Sequence, residues 1–160
     1  MKLMGSVLVL GASALLWFLQ MRERRRRRET LADLITALNR MDEELRMARP
    51  PMPWLLERSA EGCGADAAAF FHKSAEALRR GESWAEAIAC LPISREEARV
   101  LEELSHGLRG DETAVCAALR HAAGGLERAK ESLEQRRQSE ERQLTAACFS
   151  GGLLLVILLI

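Results

Sequence analysis

The chain has 160 residues with 23 Lys and Arg against 23 Asp and Glu, so its net charge is zero and no global attraction to nucleic acid follows. Its four cysteines and three histidines are scattered singly, with no C-x-x-C pair and no histidine at ligand spacing from a cysteine, which argues against zinc. No Walker lysine loop, H-E-x-x-H, nucleophile elbow or Rossmann glycine pattern occurs, so the sequence reads as a non-enzyme without cofactor or metal.

The first element is an uncharged run from Leu3 to Met21, and its counterpart is the closing run from Leu144 to Ile160. Each spans about 17 to 19 residues, or roughly 26 to 28 Å as helix, close to the thickness of a hydrocarbon core. The pattern predicts a membrane hairpin: a transmembrane helix over 1–21, a cytosolic helical bundle over 22–143 and a second transmembrane helix over 144–160. Gly11 and Ala14 in the first span, and Ala147 and Gly151 in the second, permit close helix approach in lipid, either to each other or to foreign subunits.

Arg22, Arg24, Arg25, Arg26, Arg27 and Arg28 follow the first span, interrupted only by Glu23, and fix the orientation, because an arginine excess stays in the cytoplasm. The same residues beside an anionic leaflet would each add about 1 kcal/mol of attraction to the lipid bilayer. Nucleic-acid binding is not expected of them, since no aromatic residue interleaves the run. A cleaved secretory signal would also open on Lys2 and an apolar run. Its apolar core is usually only about 7 to 15 residues, and arginines immediately downstream resist translocation.

Beyond the arginines, Leu31, Leu34, Leu38, Met41 and Leu45 repeat at three and four residues and predict one apolar seam on a helix reaching about Met47. Arg40, Asp42, Glu43 and Arg46 are assigned to its exposed side. The segment Arg49-Pro50-Pro51-Met52-Pro53 ends that helix, and Pro53 suits the first position of the next, Trp54 to Ala60. Trp54 reads first as core and second as a docking point beside the rigid turn of Pro51 and Pro53. Gly62-Cys63-Gly64 resembles a phosphate loop only superficially and reads as a helix breaker.

A third helix is predicted from Asp66 to Arg80, with Ala67, Phe71, Ala75 and Leu78 on one face and Gly81 closing it. Ser83-Trp84-Ala85-Glu86 and Ser94-Arg95-Glu96-Glu97 both fit the S-x-x-E capping box, so two further helices are expected, separated by Pro92. The second of these runs to about His106 and buries Val100, Leu101, Leu104 and Leu108. Asp111 caps the last helix, whose Val115, Leu119, Ala122, Leu126, Ala129 and Leu133 form a second long seam. Gly124-Gly125 interrupts it and implies either a bend or the close approach of another backbone. The fold class is all-α.

This order of parts resembles the stage III sporulation protein AB family of endospore-forming bacteria, whose soluble region is similar to the cytoplasmic domain of the type II secretion platform protein F family. The likeness is carried by the first span, the arginine juncture, Leu31 to Leu45, Pro51-Met52-Pro53-Trp54-Leu55-Leu56, Phe70 or Phe71 through Leu78 to Gly81, and the ending Gly151 to Ile160. Where the family tends to show two Leu-Gly pairs before an aspartate, this chain has Leu104-Ser105 and Leu108-Arg109, with Gly107 and Gly110 displaced. The resemblance implies a platform component of the channel complex between mother cell and forespore, in the mother-cell membrane around the forespore. Its implied partners are a secretion-type ATPase, stage III sporulation protein AA, and other membrane subunits, with self-association left open. The competing reading is a membrane-tethered helical scaffold or receptor that recruits a cytosolic partner. A rod of that kind needs sustained heptads, which the prolines, glycines and capping signals interrupt.

Overall fold

In a computed structural model of the chain, secondary structure is described for residues 2 to 159, and side chains for Phe18, Leu19 and residues 21 to 135. The described elements are six α-helices: α1 Lys2–Ala48, α2 Met52–Ala60, α3 Ala65–Arg80, α4 Ala85–Ala89, α5 Arg95–Gly107 and α6 Glu112–Leu159. They form two units, Met1–Glu127 and Arg128–Ile160, the second made of the remainder of α6.

The first unit holds a core built from the predicted seams. Leu31, Leu34, Leu38, Met41 and Leu45 of α1 are buried together with Leu55 and Leu56 of α2, Ala67, Phe71 and Ala75 of α3, and Leu101 and Leu104 of α5. The opening part of α6 adds Val115, Leu119, Ala122 and Leu126. Phe70 and Trp84 join them. The Phe70 ring meets Phe71 edge-on with centroids 5.2 Å apart and Trp84 edge-on at 5.6 Å, an arrangement that favours the aromatic quadrupoles as well as burying area. Trp84 and Ile88 thereby hold the five-residue α4 against α3.

Helix ends follow the local chemistry. The α1–α2 turn closes through Arg49, whose φ of 47° is left-handed and whose amide donates to the Leu45 carbonyl at 3.2 Å. Pro51 caps α2, so Pro53 falls at its second position, one step later than expected. Gly81 ends α3 with φ of 72°, a conformation for which glycine carries no steric penalty. Asp111 caps α6, accepting from the Ala114 amide at 3.2 Å and from the Thr113 hydroxyl at 2.6 Å.

Two expectations are corrected here. The capping box at Ser83 does not form: α4 starts at Ala85, which puts Glu86 at the second helical position instead of the third, and Ser83 Oγ accepts only from the Ala85 amide at 3.3 Å. Its counterpart at Ser94 closes fully. Asp42, assigned to the wet side of α1, is buried against the opening of α6, where its carboxylate meets Arg46 at 3.0 Å and Arg120 at 3.8 Å.

Among the described residues no helix is long and apolar enough to cross a membrane. The spans expected over 3–21 and 144–160, with Gly11, Ala14, Ala147 and Gly151, lie outside the described side chains except at Phe18, Leu19 and Met21, which are exposed.

Helix α6 runs through both glycines of the pair that interrupts its seam. A Cβ at Gly125 would lie 3.1 Å from Val100 Cγ1 of α5, so the close approach comes from a side chain and not from a backbone; at Gly124 a Cβ would meet nothing within 4 Å. Gly107 is tighter, since a Cβ there would come within 2.5 Å of Ala118 Cβ. Gly124→Ala should therefore stabilise the chain by about 1 kcal/mol through helix propensity. Gly107→Ala should destabilise it by about 1 to 3 kcal/mol through overpacking. Thermal melting of the solubilised full-length chain distinguishes the two signs.

Candidate functional site

The arginine run divides between the bundle and its surroundings. Successive residues of a helix point about 100° apart, so adjacent arginines on α1 cannot all face one way. Arg26 turns to Asp66 in the first turn of α3 and binds it with two parallel contacts, Nε to Oδ2 and Nη2 to Oδ1, both at 2.6 Å. Arg27 turns to α5, where its Nη2 donates to Glu97 Oε1 at 2.7 Å. Arg25 pairs with Glu29 on the exposed surface at 2.8 Å, Arg28 Nε donates to the Arg24 carbonyl at 3.4 Å, and Arg22 is exposed.

Glu97 does two jobs with one carboxylate. Its Oε2 accepts from the Ser94 amide at 2.6 Å, completing the capping box, while Oε1 takes the Arg27 guanidinium. The side chain is 2 % exposed, so the charge is desolvated and depends on these donors. The pairing of Asp66 has an electrostatic signature. The Arg26 hydrogen bond, helped by its charge, holds the Asp66 carboxyl below the ordinary carboxylate range against a partial desolvation that pushes the other way.

At the other end of the α1 seam lies the turn holding Pro51, Pro53 and Trp54. Trp54 is 45 % exposed, which corrects the first reading of it as core: Leu55 and Leu56 take the inward positions of α2, and Trp54 shares the outer face with Arg58 one turn on. The Arg58 guanidinium lies over the indole, 5.1 Å from its centroid, and also pairs with Glu44 at 3.4 Å. Met47, at the end of α1, is 86 % exposed. Arg49 pairs with Glu112 at 2.9 Å, tying this turn to the start of α6. The described structure therefore keeps Pro51, Pro53 and Trp54 together at one turn, while the arginines gather at the opposite end of the seam. That Arg26 and Arg27 serve the fold was not read from the sequence; carboxylates in the first turns of α3 and α5 were the available signal.

His72, His106 and His121 are exposed, and among the described residues no group of three or more His, Cys, Asp and Glu side chains is placed to hold a metal. The model of the family described as stage III sporulation protein AB matches residues 2–160. The chain belongs to that family. A solved structure titled "Stage III sporulation protein AB (SpoIIIAB)" is similar to this chain with a TM-score of 0.62 at 18 % identity, covering 71 % of this chain and 98 % of its own, a likeness that establishes the fold. No curated protein matches. In this member of the stage III sporulation protein AB family, the turn of Trp54 and the arginine run stand at opposite ends of the α1 seam.

Two measurements test the arginine assignments. Arg27→Met strands the Glu97 charge in the core and should cost about 3 to 5 kcal/mol, whereas Arg25→Met, on the surface, should leave the melting temperature unchanged. For Asp66 the folded group holds its proton less tightly than the unfolded one. Its contribution is then complete above the ordinary carboxylate value near 4 and lost as pH falls through the lower folded value. The stability difference between the wild type and Arg26→Gln, followed by thermal melting, should therefore shrink as pH is lowered from about 6 to about 3.

Proposed function

We propose that this protein is a non-catalytic platform component of the complex that joins mother cell and forespore, anchored in the mother-cell membrane by the apolar runs 3–21 and 144–160. The exposed Phe18, Leu19 and Met21, followed at once by arginines, support this placement, because that order suits a helix leaving hydrocarbon for an anionic cytoplasmic surface. The bundle then stands in the cytoplasm, and its family's resemblance to secretion platforms supports the docking of a secretion-type ATPase, stage III sporulation protein AA, as its role.

The observation that carries the docking site is the exposed Trp54 directly after Pro53, with the exposed Met47 on the other side of the turn in sequence. From Met21 to Ala48 the helix rises about 40 Å, so this turn would be held well clear of the headgroups. An aromatic anchor on a preformed turn gives a partner a large contact at little ordering cost.

Co-purification of the solubilised full-length chain with the ATPase from sporulating cells tests the reading, with a non-hydrolysing ATPase variant as comparison. Stoichiometric recovery is expected for the wild type, and Trp54→Ala should lower it severalfold while leaving the melting temperature close to that of the wild type. Clean absence of the ATPase with the protein intact would favour the membrane-tethered scaffold instead.

A further inference from the structure

Three cysteine side chains are described, and they differ in what surrounds them. Cys116 is buried and Cys63 half-buried, and burial pushes both thiols up from their ordinary range, which leaves little thiolate on either. Cys90 is exposed at the end of α4, and its sulfur accepts a hydrogen bond from Lys73 Nζ of α3 at 2.8 Å. That contact in turn raises the Lys73 ammonium, first through the hydrogen bond and then through the charge of the sulfur. The Cys90 thiol donates to the Glu86 carbonyl at 3.3 Å, a second contact that holds the sulfur in place beside the amine.

Peroxides reach an exposed sulfur first, and among the described cysteines Cys90 is the exposed one and the one in contact with an amine. The first product is a sulfenic acid, which is electrophilic at sulfur and condenses with a nearby nitrogen where one is in reach. Here the nitrogen in reach is a primary amine on a different helix.

We propose that Cys90 and Lys73 form a peroxide-responsive covalent cross-link between α3 and the end of α4. The Cys90 thiolate attacks one oxygen of hydrogen peroxide, the O–O bond breaks, and the departing hydroxide takes a proton to become water. Sulfur is oxidised by two electrons and peroxide is reduced by the same two. The sulfenic acid is neutral and ends the sulfur's hold on the Lys73 ammonium, and the fraction of Lys73 that gives its proton to solvent is the nucleophile. The free amine attacks sulfur, the S–N bond forms, the S–O bond breaks, and the hydroxyl leaves as water with one proton taken up. After the amine loses its second proton, one thiol, one neutral amine and one peroxide have become one S–N link and two waters.

The consequence falls on the shortest helix of the bundle. Helix α4 has no side-chain cap and is held to α3 chiefly by Trp84 and Ile88. A covalent tie closing the segment from Lys73 to Cys90 removes freedom from the unfolded chain, so the oxidised protein resists unfolding of this region better than the reduced one. External thiols reverse the link by attacking the same sulfur.

The experiment treats the solubilised full-length chain with graded hydrogen peroxide and follows it by peptide mass spectrometry, with dithiothreitol as the reversal. The expected result is a joined pair of peptides carrying Lys73 and Cys90, lighter than their sum by two hydrogens, formed before Cys63 or Cys116 reacts and lost on reduction. Lys73→Arg keeps the positive charge but removes the amine nucleophile, so its Cys90 should be trapped by dimedone or proceed to the sulfinic acid without cross-linking. Circular dichroism checks that this surface variant is folded. Direct passage of wild-type Cys90 to sulfinic acid with the Lys73 peptide unmodified would overturn the proposal, as would peroxide reactivity at Cys90 no greater than at Cys63.

Discussion

The bundle hangs on one carboxylate. Glu97 sits at the third position of α5, where it closes its own helix through the Ser94 amide and simultaneously receives Arg27 from α1. A buried carboxylate is unfavourable unless its lone pairs are filled, and here the two fillings come from different elements, so neither can be withdrawn without exposing the other to an uncompensated charge. The neighbouring Arg26 repeats the logic with Asp66 at the start of α3. Both carboxylates lie in first turns, where the helix dipole already favours negative charge, and each then attracts a guanidinium. The N-termini of α3 and α5 are thereby brought to one level of α1, fixed by two consecutive residues.

That geometry changes the meaning of the arginine run. A row of arginines after an apolar segment is a topology signal in the sequence, and the helical repeat makes part of it something else as well. Arg26 and Arg27 hold the bundle to α1 while Arg22 remains exposed for whatever lies around the helix. The two roles need the same residue type for different reasons: an exposed arginine acts as a charge, whereas Arg26 and Arg27 act through a planar fork that satisfies a carboxylate.

Much of the fold was legible because seams and caps are local. Leu31 to Leu45, Val115 to Leu126, the glycine stop at Gly81 and the box at Ser94 are all read from residues within a few positions of each other, and these end up where the spacing put them. The partner of Arg26 is 40 residues away and that of Arg27 is 70 away, so no local pattern named them. Asp42 failed for the same reason: its neighbour Arg46 suggested an exposed helical pair, and only the return of α6, bringing Arg120 and Cys116, covers it. The failed box at Ser83 is more instructive still. Burying the Trp84 indole against Phe70 places Trp84 just before the first residue of α4, and this shifts Glu86 out of the position from which it could reach back. Aromatic burial decided the helix start over the capping preference, as the relative sizes of the two effects require.

The two tryptophans whose side chains are described, Trp54 and Trp84, make the corresponding point about surfaces. Trp84 and Trp54 each lie at the beginning of a helix and near a chain-bending segment, and hydrophobicity alone ranks them equally. Phase separates them. In α2 the inward stripe is Leu55, Leu56, Ser59 and Ala60, which leaves the Trp54 and Arg58 pair facing outward. A guanidinium over one face of the indole keeps that face from demanding a protein cover and presents the remaining ring surface beside a positive charge. Arg49 contributes in another way: its left-handed backbone, uncommon for a residue with a side chain, is held by the Leu45 carbonyl and the Glu112 ion pair, so the turn that carries Pro51 and Trp54 is set before any partner arrives. As the proposed docking surface, such a turn gives up little conformational entropy on association, and the exposed indole costs the folded protein little because the helix face beneath it is already filled by leucine.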